Sequence, residues 1–288
     1  MTSEALDAIK RYRVFGTEFD ARAQLLGTEI DPDWEPHIRE QWESNIASVR
    51  SGLEQQFGSF NLKAKIKNFT EFGSLPFSVV AYHNRFLRQI RDSFTIGAYY
   101  SALTGASALG ERILNHLVLC LRDDHRSSPH YKKVYDKESF HDWSFMITVL
   151  EDWDVLLPEA STALRRLGDI RNREAVHFSP GIDADDRTPA LRVGRLICEI
   201  VGSQFAAHGG RPWYIRGTPG VTFVRQEAEA RPFVREFILP SCLLVGPLHK
   251  VIEVVPNLKV EDPSADFQRA ITDEEFVEAW KGAQSTGE

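Results

Sequence analysis

No run of about 18 consecutive apolar residues, the length a membrane-crossing helix requires, occurs in the 288-residue chain. The opening residues Met1-Thr2-Ser3-Glu4-Ala5-Leu6-Asp7 also lack the basic segment and apolar run of a secretory signal. Both absences lead us to expect a cytoplasmic protein with no membrane span. Cysteine is scarce: Cys120, Cys198 and Cys242 stand far apart in apolar stretches and form no Cys-x-x-Cys pair. That excludes the usual paired-thiol metal and redox sites and leads us to expect buried thiols in a reducing compartment. Positive charge is also short, with 34 basic against 41 acidic residues and a net charge of -7. A broad basic footprint is therefore absent, and any nucleic-acid site must be local.

Several chemical signatures are missing as well. There is no Gly-x-Gly-x-x-Gly or Walker-type loop to cradle a nucleotide. No Gly-x-Ser-x-Gly elbow surrounds Ser241, so the adjacent Cys242 reads as a core thiol. His125, His130 and His141 lie near Asp123 and Asp124 but match no recurrent zinc spacing. No metal and no cofactor are expected.

What is present is an ordinary globular composition, 42% apolar and 26% charged, in a chain long enough for one large domain or two modest ones. The expected class is mainly α, with a division into residues 1–76, 77–207 and 208–288. The first part reads as helices broken near Asp31-Pro32-Asp33, followed by a linker or short extended piece over 60–77 that carries Gly73 and Pro76. A helix over 77–94 leads into one over 98–121, whose Ala102, Ala106, Leu109, Ile113, Leu117 and Leu121 recur every three or four residues. Its small residues Gly105, Ala106, Ala108 and Gly110 invite a closely packed neighbour. After an exposed loop over 123–133, helices are expected over 137–156, 159–176 and 189–206, with Pro158 at a helix start. Beyond His208-Gly209-Gly210 the texture turns partly β. Trp213 to Arg216 and Val221 to Val224 flank Gly217-Thr218-Pro219-Gly220 as a hairpin, and 233–239 and 251–255 are strand candidates. Thr272-Asp273-Glu274-Glu275 resembles a capping box that opens a closing helix. Trp213, Tyr214, Phe223, Phe233 and Phe237 suit base stacking but also an ordinary core.

The chemistry-bearing residues cluster in Arg171-Asn172-Arg173-Glu174-Ala175-Val176-His177. Upstream, the small-residue helix carries Leu109-Gly110-Glu111-Arg112. Together with the amphipathic helix that follows, these segments resemble the HEPN domain family over about residues 96–206, in the Arg-x(4–6)-His ribonuclease type. The resemblance implies an antiparallel helical bundle, here with N-terminal helices and a small C-terminal α+β region. It also implies metal-independent RNA cleavage, in which a ribose 2′-hydroxyl attacks its own phosphodiester.

The residue types suit that reaction. Histidine exchanges a proton near neutral pH, and arginine holds phosphate oxygens with two parallel hydrogen bonds as charge builds. The expected roles are His177 as acid or base, Arg171 as charge clamp and Asn172 as orienter, with Arg173 secondary. Glu111 lies on a polar stripe with Ser107 and Asn115; either that stripe is a solvated face, or Glu111 reaches the motif and orients Arg171 or His177. Arg165, Arg166, Arg171 and Arg173 stand against Asp169 and Glu174, a local basic surplus that suits phosphate, with Arg165 and Arg166 as the RNA-binding candidates. On a continuous helix, six residues at about 100° each place His177 about 120° away from Arg171. In the family two domains commonly pair so that both motifs face one groove, so a homodimer is implied. The resemblance further suggests a toxin or antiviral effector, RNA such as tRNA as target, and an antitoxin or regulatory protein as partner. The competing interpretation is plain helix-surface pairing, Arg171 with Glu174 and Arg173 with His177. A non-catalytic HEPN-like module for dimerisation or RNA binding is the corresponding function.

Overall fold

Local pattern becomes packed structure most directly in the central helices. A computed structural model describes residues 9–15, 20–136, 142–172, 186–208, 210–254, 258–263 and 270–285. The chain divides into two units, one of residues 18–206 and one joining 1–17 to 207–288.

The first unit is helical. Its helices are α1 (Arg22–Gly27), α2 (Pro36–Phe57), α3 (Leu62–Phe72), α4 (Ala81–Thr95), α5 (Tyr99–Leu121), α6 (Tyr131–Tyr135), α7 (Trp143–Asp152), α8 (Pro158–Ile170) and α9 (Arg187–Phe205). All six apolar positions expected to form the stripe of α5 are buried, and α4, α7 and α9 pack around that helix. Pro158 opens α8 as the sequence suggests.

Residues 62–72 correct the expectation of a linker. Leu62, Ile66, Phe69 and Phe72 fall at helical spacing, and Phe69 and Phe72 are buried. Gly73 and Pro76 end this helix; they do not mark a structureless connection. Phe72 docks against α9 at Gly194, where a Cβ would stand 2.5 Å from Phe72 Cε2. Asn68 on α3 donates to the carbonyls of Phe94 and Thr95 at 3.2 and 3.3 Å and accepts from Arg187 Nη2 at 3.0 Å. One amide thus joins α3, α4 and α9, and no domain boundary falls near residue 76.

The second unit corrects the N-terminal expectation too. Arg11–Val14 is not helical but forms β1, which pairs antiparallel with β2 (Thr222–Phe223) and β3 (Cys242–Val245) in the order β2-β1-β3. A separate hairpin joins β4 (Lys250–Glu253) to β5 (Lys259–Glu261), and α10 (Asp273–Ser285) closes the chain. Ile9, Phe223, Val245, Ile271, Phe276 and Trp280 form this unit's core. Wholly buried Arg11 donates to Asp273 Oδ1 at 2.6 Å and to the Ile271 carbonyl at 2.7 Å, tying the first strand to the last helix. The capping box forms: Thr272 N–H donates to Glu275 Oε2 at 3.0 Å, and Glu275 N–H donates to Thr272 Oγ1 at 3.3 Å.

The expected hairpin is present as a bridge between Tyr214 and Val224. Residues 234–238, read as a strand, instead make a wide helical turn. Phe233, Val234, Phe237 and Ile238 bury one side of that turn, a four-residue repeat that a strand cannot reproduce. Trp213, Tyr214, Phe223, Phe233 and Phe237 are all buried, so these aromatics belong to the core and not to a stacking platform.

One ion pair gives the helical unit an acid-sensitive joint. Arg91 is fully buried, with its guanidinium 4.3 Å from the Phe69 ring centre and its Nη2 2.5 Å from Asp20 Oδ2. Burial works against the charged carboxyl of Asp20. Hydrogen bonds from Arg22 and Arg91, with the charge of Arg91, outweigh burial and hold it well below the usual carboxylate range. A depressed folded-state pKa means the stabilisation is complete above the unfolded value of about 4 and is lost as pH falls below it. Asp20→Asn is expected to cost about 2–3 kcal/mol at pH 7, less than a fully enclosed pair because Asp20 is partly exposed. In urea unfolding across pH, the gap between variant and wild type should narrow progressively below about pH 4; a gap that stays constant contradicts this assignment.

Candidate functional site

Two glycines and one tryptophan build the ground on which the motif stands. Asp142 caps α7, accepting from Phe145 N–H at 3.0 Å, and this sets Trp143 at the first position of the helix. The indole lodges between α5 and α8. A Cβ at Gly110 would lie 2.6 Å from Leu167 Cδ2 and 2.9 Å from Trp143, and one at Gly168 would lie 2.6 Å from Trp143 Nε1. The indole N–H donates to the Leu164 carbonyl at 2.9 Å. Any side chain at either glycine occupies the space of the ring.

Glu111 follows Gly110, and Arg171 lies one turn beyond Gly168, so the same contact that seats the tryptophan brings these two residues together. Arg171 Nη2 meets Glu111 Oε2 at 2.8 Å, and its guanidinium carbon lies 5.8 Å from the centre of the Trp143 ring. The side chains of Arg171 and Glu111 keep 23% and 31% exposure, so the pair reaches solvent. Arg171 Nη1 also donates to Asn172 Oδ1 at 3.4 Å. Glu111 thus leaves the solvated stripe and reaches the motif, the second of the two possibilities its position left open. Arg173, Glu174 and His177 lie outside the described residues.

The remaining candidates are placed differently. Arg165 is ion-paired with Glu151 at 2.6 Å, and the same carboxylate accepts from Ser161. Arg166 is exposed and has no ion-pair partner among the described residues. His125 stacks flat on Trp153, centroids 4.5 Å apart, and His130 Nε2 lies 2.6 Å from Asp152 Oδ2. Among the described residues no three His, Cys, Asp or Glu side chains gather to hold a metal ion, and His141 lies outside them.

The thiols only partly follow expectation. Cys120 is exposed, because it sits on the outer face of α5 one residue before the buried Leu121. Cys198 and Cys242 are partly covered, and burial pushes both thiols up to about 12, so they stay protonated.

A second titratable group occurs on α5. His116 Nδ1 is 2.8 Å from the Tyr82 hydroxyl. Burial pushes that phenol up to about 12, and burial followed by the charge of Arg112 lowers His116. The phenol is therefore the donor and the imidazole is neutral at pH 7. His116 lies five residues from Glu111, about 140° around the helix, and does not join the Arg171 site.

Sequence reasoning passed over Trp143 and Gly168. The available signal was a glycine within an amphipathic helix, which weakens helix propensity, but Gly52 sits inside α2 with nothing near its Cβ, so a helical glycine alone did not mark the contact. No protein-family model, curated protein or solved structure matches the chain.

The wedge makes opposite outcomes expected for one chemical change. Gly168→Ala should lower stability by about 1–2 kcal/mol, since overpacking against Trp143 exceeds the gain in helix propensity. Gly52→Ala in α2, where a Cβ meets nothing within 4 Å, should raise stability by about 0.5–1 kcal/mol. Urea unfolding of both variants measures this directly, and shifts of the same sign contradict it.

Proposed function

We propose that the chain is a metal-independent endoribonuclease of the HEPN type, a toxin or antiviral defence effector acting on tRNA or another cellular RNA. The observation that carries the reading is the seating of Arg171, ion-paired to Glu111 and held over Trp143 where the Arg-Asn…His motif begins. A guanidinium fixed before substrate arrives loses little freedom on binding, which is what stabilising charge on a phosphate in the transition state requires.

In this reaction the ribose 2′-oxygen bonds to the adjacent phosphorus and the bond from phosphorus to the 5′-oxygen breaks. The 2′-hydroxyl proton is taken up and the leaving oxygen is protonated, leaving a cyclic phosphate and a 5′-hydroxyl end. His177 moves one of these protons, Arg171 balances the phosphate charge, and Asn172 orients the group. Glu111 acts through Arg171 as a positioning residue, with Arg173 in support. Arg166 meets the RNA backbone, while Arg165 contributes less because Glu151 already holds it. The six-residue spacing from Arg171 to His177 makes a site shared by two copies the natural arrangement.

A second reading, a non-catalytic HEPN-like module for dimerisation or RNA binding that acts through a protein partner such as an antitoxin, has one observation in its favour. Glu111 and Glu151 neutralise Arg171 and Arg165, which removes net positive charge from the surface an RNA phosphate would approach.

The two separate in one assay. The ribonuclease reading expects the purified protein to cleave RNA in excess EDTA, and His177→Ala to reduce the rate at least about 100-fold, the usual contribution of general acid–base catalysis. Equal cleavage by variant and wild type contradicts it. Absence of cleavage, with a stable dimer by sedimentation and undisturbed binding in His177→Ala, supports the module.

A further inference from the structure

The second unit holds a cleft of about 560 Å³ that the ribonuclease reading does not use. Its size falls within the range of about 300–1,000 Å³ typical of small-molecule sites. One wall is the strand pair in which Ile215 N–H donates to the Phe223 carbonyl at 2.8 Å and Arg225 N–H to the Trp213 carbonyl at 2.9 Å. The other wall is the start of α10, fixed by its capping box. Arg211, Arg216 and Arg225 line the cleft together with Asp273, Glu274 and Glu278.

Part of this charge is already committed. Asp273 is held by Arg11 at 2.6 Å, and Arg225 by Glu227 at 2.8 Å. Exposed Arg216 has no ion-pair partner among the described residues, and Glu278 only approaches Lys281, at 3.6 Å. The cleft therefore offers guanidinium at one place and carboxylate at another.

The matching ligand carries an anion at one end and hydrogen-bond donors at the other. Guanidinium groups take phosphate oxygens, and carboxylates accept from the exocyclic amines of bases. An α-amino acid joins the same two charges but leaves most of this volume to water, whereas small-molecule sites enclose most of the ligand surface. We propose that the cleft binds a nucleoside monophosphate whose base carries an exocyclic amine, with the phosphate at Arg216 and the amine at Glu278.

The test is calorimetric titration of the full chain with AMP, CMP, GMP and UMP in turn, and with inorganic phosphate as a separate probe. At least one of the three amine-bearing nucleotides is expected to bind at least about tenfold more tightly than UMP or phosphate, the scale of one hydrogen bond to a charged group. Arg216→Ala should weaken that binding about tenfold by the same reasoning, and Glu278→Ala should abolish the preference over UMP. Both side chains are exposed, so unchanged melting temperatures establish that the variants fold. His177→Ala should bind the nucleotide as wild type does, which keeps this result separate from the cleavage reading. The proposal is overturned if no nucleotide binds saturably up to millimolar concentration, if UMP or phosphate binds as well as the others, or if Arg216→Ala leaves the affinity unchanged.

Discussion

The indole of Trp143 occupies space that exists only because Gly110 and Gly168 have no side chains. Helices α5 and α8 close around that ring, and its N–H bond to the Leu164 carbonyl fixes the depth of insertion. The placement of Glu111 and Arg171 follows from this contact, because each lies within one helical turn of a glycine that receives the ring. An ion pair with both members partly exposed contributes little to stability, about 1 kcal/mol or less. The wedge, and not the pair, supplies the rigidity, and the pair is left able to exchange one of its contacts for a ligand.

The rest of the helical unit is held in register by buried polar groups with specific partners. Gln204 donates to the Val155 carbonyl and accepts from Leu157 N–H, both at 2.9 Å, and so fixes the connection that delivers Pro158 to the start of α8. Asn68 does the same for α3, α4 and α9, and Asp20 neutralises the buried charge of Arg91. In each case an unpaired buried group would cost more than the bond itself yields. That asymmetry selects one packing of a core whose aliphatic residues alone would tolerate several.

Elements built from their own periodicity were legible in the sequence. The three-to-four spacing of α5, the proline that opens α8 and the Thr272–Glu275 box each carry a local physical reason, and each stands as read. Strand β1 was not legible, since its partners are Thr222–Phe223 and Cys242–Val245, far along the chain, and four residues contain no record of them. At 62–72, Gly73 and Pro76 suggested a loop when they were helix stops. At 233–239 a strand was expected where the four-residue repeat of Phe233, Val234, Phe237 and Ile238 governed. The motif itself could be seen, but not that Glu111 meets Arg171, because only the packing of α5 on α8 brings Glu111 to 2.8 Å; Glu174, the other carboxylate within chemical reason, lies outside the described residues.

The proposed RNA cleavage requires the Glu111–Arg171 pair to be a preorganised phosphate site and not a structural brace. A double-mutant cycle of Glu111→Gln and Arg171→Gln, read both by urea unfolding and by RNA cleavage in EDTA, addresses this directly. A preorganised phosphate site requires a stability coupling of no more than about 1 kcal/mol, with each single variant losing at least about tenfold in cleavage and the double variant losing less than the product of the two. A coupling of several kcal/mol in stability, with cleavage unchanged by either substitution, would contradict it.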